Sequence, residues 1–212
     1  MKHLLSFLFP PFCLYCHQPL NPSFSTLCEE CFQELKPIDS TNRCYRCFQE
    51  ISNKKHRCPK HLSSLTATSC CIEENPILHA VHSIQTMAAL MIYQWYHLRW
   101  PMPDLIIPTP SDWFDRGNHT KNLAKAFASH ASLPFSAALS ISRGRTQIPY
   151  LSLDQQPNTT KCVHIRKPND IVNKRILLIH DHLQTGFAIG LSARALREGG
   201  ALTIHALCAS IK

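Results

Sequence analysis

Arg175-Ile176-Leu177-Leu178-Ile179-His180-Asp181-His182-Leu183-Gln184-Thr185-Gly186 is the stretch that decides the fold. Residues 176–179 form an unbroken apolar run, which is typical of a central strand covered on both faces. Apolar residues then recur at helical spacing until Gly199 and Gly200, a pair suited to ending a helix. Residues 201–208 are predicted to form the next strand. Strand, short polar loop, helix and strand make a βαβ unit, so we expect an α/β protein with a parallel sheet.

The polar loop between residues 180 and 186 is a candidate phosphate site. Ligands of parallel sheets bind at the carboxyl ends of the strands, beside the amino terminus of the following helix. Gly186 lets the main chain approach an anion closely. The chain has 6 glycines, and this unit holds four of them: Gly186, Gly190, Gly199 and Gly200.

This stretch resembles the loop of type I phosphoribosyltransferases that binds phosphoribosyl pyrophosphate (PRPP). Asp181, Thr185 and Gly186 keep that family's pattern, whereas His180 stands where the first of two carboxylates is usual and Gln184 where the first Thr is usual. The resemblance implies that Asp181 grips the ribose hydroxyls and is the candidate catalytic residue. It also implies that the loop cradles the 5′-phosphate, with Mg²⁺ accompanying PRPP.

Cysteine spacing in the first part of the chain predicts zinc. Of 11 cysteines, most lie in pairs separated by two residues, the spacing that lets two ligands face one tetrahedral ion. The predicted ligands are Cys13, Cys16, Cys28, Cys31, Cys44, Cys47, Cys58 and His61. They suffice for two structural zinc ions, and the spacing is compatible with either a sequential or a crossed pairing of the knuckles. Closed four-ligand sites indicate a role in stability, since they leave no position open for a substrate.

The length allows one ordinary domain and a small one, so we expect a zinc-binding module over residues 1–66 and a second domain over residues 67–212, which the resemblance of its loop implies is phosphoribosyltransferase-like. A hydrophobic fraction of 44% and a charged fraction of 17% are globular values. The amino-terminal apolar run is short and ends at Pro10 and Pro11, which disfavours a signal peptide and favours a cytoplasmic protein. No run of apolar residues is long enough for a membrane span. The formal charge of +8 suits polyanionic partners.

Further elements are expected along the second unit. Cys70 and Cys71 are expected on a strand, as small hydrophobic residues. Residues 84–98 have the spacing of a helix with one apolar face, and residues 105–107 that of a buried strand. A helix capped by Asn118 or Thr120 is expected to run to about His130, followed by a strand over residues 137–141. The polar stretch from Arg143 to about residue 170 is expected to be a flap.

Motifs throughout the chain, in the expected order, resemble the ComF family. They are the opening from residue 4 to Cys16, the further knuckles, the strand end at residues 107–110, the helix start at Arg116-Gly117, and the loop at residues 180–186. Residues 118–120 depart from the family's Phe-Asn-Gln. The resemblance implies a zinc module before a phosphoribosyltransferase-type domain, with Arg116 and Gly117 added to the ligand-binding residues. It also implies a role in natural competence, where such proteins handle incoming single-stranded DNA beside a helicase-like partner.

Two main functional hypotheses follow. One is an adaptor for DNA uptake that binds a phosphorylated ribose ligand and single-stranded DNA, the latter through a basic tip at residues 54–57 and basic loops. The other is an active PRPP-dependent phosphoribosyltransferase. The substitution at His180 favours the first, because a neutral imidazole brings no negative charge near Mg²⁺. The cradle of backbone amides is less sensitive to side-chain changes, so phosphate binding is expected to outlast transfer chemistry. A third possibility is a folded relic without a ligand.

Overall fold

The computed structural model describes residues 12–20, 27–35, 38, 42–48, 50–51, 64–77, 83–110, 118–144 and 160–211. Several residues singled out above lie outside these segments. They are Cys58, His61, Arg116, Gly117, the basic tip at residues 54–57, and most of the expected flap.

A four-stranded parallel sheet forms the centre of the described structure. Its strands are β1 (Ala67–Glu73), β2 (Leu105–Pro108), β5 (Arg175–Leu183) and β6 (Thr203–Ile211), in the spatial order β1-β6-β5-β2. All three pairings are parallel, so the four carboxyl ends share one edge of the sheet, here called the carboxyl edge. The predicted α/β class with a parallel sheet is confirmed.

Strand β5 is longer than its apolar run. Residues 176–179 are buried, as expected of a central strand, but pairing continues through the polar residues. His182 pairs with Ser210 and Leu183 with Ile211 of β6. The expectation that the strand stops before His180 was therefore wrong, and the connecting loop shrinks to residues 184–186. Strand β5 is longer than expected because β6 extends beyond the expected residue 208 and offers backbone partners to the polar residues.

Within the described segments, three longer helices cover the sheet. They are α2 (Ile84–Leu98), α3 (His119–His130) and α4 (Phe187–Glu198). Helix α4 ends as predicted, since the Gly200 amide donates to the Arg197 carbonyl and the Ala201 amide to the Leu196 carbonyl. These two bonds define a Schellman motif, and Gly200 has the positive φ of 86° that the motif requires.

The two faces of the sheet bury different partners. One face packs against α2 and α3, with Leu177, Ile179 and Leu207 contributed by the strands. The other packs against α4, with Leu178 and Ile204 among the strand residues. Successive strand residues point to opposite faces, so an unbroken apolar run is what a sheet covered on both sides needs. Cys70 and Cys71 are buried on opposite faces of β1, which agrees with their expected role as small hydrophobic residues.

An antiparallel pair, β3 (Leu139–Gly144) and β4 (Thr160–Ile165), lies beside this core. Strand β3 was expected, although shifted along the chain. Strand β4 was missed because it follows a polar stretch, and the expectation of irregular structure up to residue 170 was wrong for it. Val163 and Ile165 pack against the α4 side of the core, so β4 presents alternate residues to that core.

The cysteine-rich segment repeats one small turn twice. The amides of His17 and Phe48 donate to the carbonyls of Cys13 and Cys44 respectively, and both donors have a positive φ near 60°. Isolated bridges flank both turns, joining Phe12 to Pro19 and Arg43 to Glu50. The first and third cysteine pairs therefore share one backbone conformation. The short helix α1 (Glu29–Gln33) begins directly after Cys28.

The cysteine-rich segment packs on the α/β core. Leu20, Leu27 and Leu35 join the core on the α2 and α3 side, whereas Ile38 and Phe48 join the α4 side. At the β1 edge, the Thr68 amide donates to the Tyr45 carbonyl at 2.7 Å and the Thr68 hydroxyl donates to the Arg46 carbonyl at 2.6 Å. The turn around Cys44 and Cys47 thus covers the outer edge of the sheet. Among helices in the described segments, none is long and apolar enough to cross a membrane.

Candidate ligand site and candidate zinc centre

Polar side chains from all four parallel strands, or from the residues just after them, meet at the carboxyl edge. Strand β5 supplies three consecutive residues there because its last paired residues are polar. The other strands and the start of α3 supply the rest. The residues are Glu74 after β1, Thr109 after β2, His119 in α3, His180, Asp181 and His182 in β5, and Ser210 in β6.

The loop after β5 comprises residues 184–186 and leads directly into α4. Gly186 lies at the amino cap of α4 with φ 72° and ψ 1°, in the left-handed region. Gln184 and Thr185 are exposed, and the Phe187 amide lies 3.4 Å from the Thr185 hydroxyl oxygen. The first amides of a helix have no acceptor within that helix and carry partial positive charge. Helix α4 therefore begins at an open loop whose backbone suits an anion.

Asp181 lies between two histidines. Its Oδ1 accepts a hydrogen bond of 2.9 Å from the His182 amide and is 3.5 Å from His180 Nδ1. Its Oδ2 is 3.8 Å from Nδ1 of His119, and the Asp181 side chain is 33% exposed. The carboxylate is thus open to solvent and available to a hydroxyl donor, while the start of α3 closes one side of it.

His180 is tied to the neighbouring strand. Its Nδ1 shares a hydrogen bond of 2.7 Å with the hydroxyl of Thr109, a residue that is 2% exposed. Burial lowers the pKa of His180, although the adjacent Asp181 acts in the opposite direction. Below-normal basicity keeps the imidazole neutral at pH 7, so it adds no charge to the site. The residue that replaces a carboxylate is therefore a fixed, uncharged hydrogen-bonding group.

His182 belongs to a second group of contacts at the same edge. Its Nδ1 shares a hydrogen bond of 2.8 Å with Ser210 Oγ, and its Nε2 is 3.8 Å from Glu74 Oε2. These contacts connect the ends of β5, β6 and β1. They orient the end of β5 on the side away from Thr109 and hold the polar part of the strand in register.

The sequence analysis missed five members of this site: Glu74, Thr109, His119, His182 and Ser210. A usable signal existed for Thr109, because it follows a buried strand in a parallel sheet, where polar residues gather at the carboxyl edge. His119 was noted as a departure from a motif, but its position beside Asp181 depends on how α3 packs. Arg116 and Gly117 precede α3 outside the described residues, so their part in ligand binding stays a prediction.

Four cysteines form a candidate metal centre. The sulfurs of Cys13, Cys16, Cys28 and Cys31 lie within 4.8 Å of one another. The sulfurs of Cys16 and Cys28 are 3.6 Å apart. A tetrahedral zinc ion with Zn–S bonds of about 2.3 Å places its sulfurs roughly 3.8 Å apart, so these residues fit zinc. The group joins the first two knuckles, which is the sequential pairing.

The ionisation of these cysteines also favours a bound metal ion. Burial opposes ionisation of Cys13, but backbone amides of Cys16, Cys28 and Tyr15 outweigh it and lower its pKa to about 6. Burial and the neighbouring thiols raise the pKa of Cys31. Four thiolates packed together need a cation, because each one disfavours ionisation of the next. Cys44 and Cys47 are buried, and the remaining predicted ligands, Cys58 and His61, lie outside the described residues. The second zinc ion stays a prediction.

Together these features define the class of protein: a parallel α/β core preceded by a cysteine-rich zinc module. Comparison with protein families agrees for the first part, since residues 4–62 match the double zinc ribbon domain. No match was found among curated proteins.

Solved structures with similarity to the chain include the following three. The first is described as the allosteric regulatory enzyme of purine biosynthesis, with 21% identity, a TM-score of 0.41, and coverage of 61% of this chain and 26% of that one. The second is glutamine PRPP amidotransferase from B. subtilis, at 20% identity, a TM-score of 0.38 and the same coverage. The third is purine phosphoribosyltransferase from Pyrococcus horikoshii, at 16% identity and a TM-score of 0.38, with 59% of this chain and 71% of that one covered. This chain thus spans about a quarter of the first two proteins.

Proposed function

We propose that the carboxyl edge binds a phosphorylated ribose ligand such as PRPP, and that the protein serves natural competence in the manner of ComF proteins. The observation that carries the ligand proposal is the loop at residues 184–186. It is open, it precedes a helix amino terminus, and its glycine has the left-handed conformation. The phosphate lies against the amides of residues 185–188 in this proposal, and the ribose hydroxyls donate to the exposed Asp181 carboxylate.

The flanking histidines set what the site does with that ligand. The first of the family's two carboxylates is replaced by His180, which is neutral and hydrogen-bonded to Thr109. The charge-assisted hydrogen bond that a carboxylate makes is worth roughly 1.5–3 kcal/mol, so its loss weakens the ribose grip about ten- to a hundredfold. Binding without efficient transfer is the behaviour we propose, and the zinc module serves to stabilise the fold.

The DNA part of the proposal comes from the ComF resemblance and the formal charge of +8. Single-stranded DNA is the proposed macromolecular partner, with a competence helicase as a protein partner. The Asp181 carboxylate, which lies near the end of β5 and is partly open to solvent, is the observation that favours the second candidate, an active phosphoribosyltransferase. Release of pyrophosphate from PRPP in the presence of a nucleobase mixture would replace the first proposal with the second.

Titration calorimetry with PRPP and Mg²⁺ tests the ligand proposal. The chain is expected to bind PRPP, and Asp181→Asn is expected to weaken binding about ten- to a hundredfold. Asp170→Asn is the matched control, since Asp170 is exposed and its Oδ2 accepts a hydrogen bond of 3.4 Å from the Ser136 hydroxyl. Absence of heat at millimolar PRPP would contradict the proposal. If Asp181→Asn binds PRPP with unchanged affinity, the proposed contact between Asp181 and the ribose hydroxyls is wrong, but binding of the phosphate by the loop amides is not contradicted.

A further inference from the structure

Three aromatic side chains on the outer side of α2 form an exposed patch. Tyr93 and Tyr96 are 64% and 78% exposed, although the opposite side of the same helix buries Met87 and Met91. The ring of His97 lies 4.2 Å from that of Tyr93 and 6.1 Å from that of Tyr96, measured between centroids. Single exposed aromatic residues are ordinary, but rings gathered on one helical surface indicate a contact site.

The helices that carry this surface lack acidic residues. No Asp or Glu occurs in residues 75–103, which include α2, or in residues 116–153, which include α3. Exposed basic residues accompany the rings, namely Arg99 at the end of α2 and Lys121 and Lys125 on α3. Helix α4, on the opposite side of the sheet, instead pairs Arg194 with Glu198. Helices α2 and α3 therefore expose basic residues without any acidic residue of their own, whereas α4 carries charges of both signs.

Helices α2 and α3 form one surface. The rings of Trp95 and Phe127 meet at 5.9 Å between the helices, and His130 Nε2 is 2.8 Å from Gln85 Oε1. Both helices pack on the same side of the sheet. Helix α3 begins at the carboxyl edge, where His119 lies beside Asp181. The basic helix α3 thus starts at the candidate ligand site, whereas the exposed rings lie in the second half of α2.

We infer that the outer surface of α2 and α3 is a binding site for single-stranded nucleic acid. Bases stack on Tyr93, Tyr96 and His97, while Arg99, Lys121 and Lys125 contact phosphates. Exposed rings accept unstacked bases of any sequence, and a surface without carboxylates does not repel the backbone. This inference rests on the DNA part of the proposed function and gives it a location other than the zinc module.

Single-stranded nucleic acid fits this surface better than a membrane does. A helix that lies in a membrane interface inserts an apolar side, but the apolar side of α2 is already buried in the core. The exposed rings of α2 are two phenols and an imidazole, groups that stack and also form hydrogen bonds. A duplex fits less well, because its bases are already stacked and the rings would have no partner.

Fluorescence anisotropy with a labelled dT oligonucleotide tests the inference in two ways. Tyr93→Ala with Tyr96→Ala is expected to weaken binding by about tenfold or more, since stacking of one base is worth about 1–3 kcal/mol. Tyr93→Phe with Tyr96→Phe keeps the rings and is expected to bind like the unmodified chain. An oligonucleotide of abasic sites is expected to bind weakly and to be insensitive to both changes.

Two charge-reversal double variants test the electrostatic part of the inference. Lys121→Glu with Lys125→Glu is expected to weaken binding and to reduce the slope of log affinity against log salt by about 1.4 for two lost phosphate contacts. Arg166→Glu with Lys167→Glu changes the net charge equally at exposed positions next to β4 and is expected to have a much smaller effect. All replaced side chains are exposed, and circular dichroism confirms that each variant is folded.

The outcomes separate this inference from the proposed function. If the alanine and glutamate variants bind dT as tightly as the unmodified chain does, the proposed location on α2 and α3 is wrong, but the DNA role remains. Absence of dT binding would remove both. Binding to vesicles of anionic phospholipid without binding to dT would identify the surface as a membrane contact and overturn the inference, while PRPP titration remains an independent test of the ligand site.

Discussion

His180 is the residue at which this site departs most from a PRPP-binding loop. Its position in β5 brings it beside Thr109, which is buried and supplies a hydroxyl at 2.7 Å. That hydroxyl is able to donate to a carboxylate as well as to an imidazole. The surroundings of residue 180 therefore remain suited to the group that the family pattern has there.

Restoring a carboxylate at position 180 is expected to strengthen ligand binding. His180→Asp places a negative charge beside the Thr109 hydroxyl and next to Asp181, and in the presence of Mg²⁺ we expect the affinity for PRPP to rise about tenfold. Calorimetry measures the change. His182→Asp is the control, because it puts the charge near Glu74 instead and is expected to give no gain. A PRPP affinity that His180→Asp leaves unchanged would show that this position does not contact the ligand.

His205 is expected to make the stability of the fold depend on pH. It is 7% exposed, its ring packs at 4.9 Å from that of Trp100, and burial lowers its pKa. Since the folded pKa lies below the unfolded value of about 6.5, the stabilising contribution is complete above pH 6.5 and is lost as the pH falls through the folded pKa.

Urea unfolding at pH 7.5 and 5.5 checks this expectation. The midpoint of the unmodified chain is expected to fall with acidification, and His205→Phe is expected to fall less, because it keeps a ring against Trp100 but cannot take up a proton. Protonation of cysteine ligands affects both proteins equally, so the difference between them isolates His205. Equal declines in the two proteins would contradict the prediction.

At the scale of elements, the βαβ unit at residues 175–211 could be predicted because each part carries a local signal. The apolar run gives the strand, the periodic residues give the helix, and Gly199 and Gly200 give its end. The limits of β5 could not be predicted, because polar residues join a strand when a neighbouring strand offers partners. Strand β4 could not be predicted for a related reason, because its few apolar residues are identified as strand residues only by their packing near α4.

The start of α4 is an element whose geometry depends on one residue. Gly186 has φ 72°, where an alanine side chain costs roughly 1–2 kcal/mol. Gly186→Ala is expected to lower the free energy of unfolding by about 1 kcal/mol and to weaken PRPP binding. Gly186→Asn is expected to lose less stability, since Asn tolerates this region better. Urea unfolding and calorimetry on both variants provide the measurement, and equal stability of the Ala variant would contradict the assigned backbone conformation.

At the scale of the whole molecule, the zinc module and the α/β core are joined by shared packing. Leucines that follow or lie between the first cysteine pairs belong to the same apolar cluster as α2 and α3, and Phe48 belongs to the cluster on the opposite side. The module therefore contacts both faces of the sheet and one of its edges. The sequence predicted a boundary near residue 66, but it could not predict this packing, which depends on contacts between residues distant in the chain.

Because the packing is shared, loss of the first zinc ion is expected to destabilise the entire chain. Cys13→Ser removes one ligand of the four-sulfur centre, and metal analysis is expected to show one zinc fewer per chain. Structural zinc contributes several kcal/mol, so the melting temperature is expected to fall by about 10 °C or more, in one transition. Cys162→Ser, on β4 away from the centre, is expected to change neither zinc content nor melting temperature. Two separate transitions, with that of the α/β core unchanged, would show that the module and the core fold independently despite their contacts.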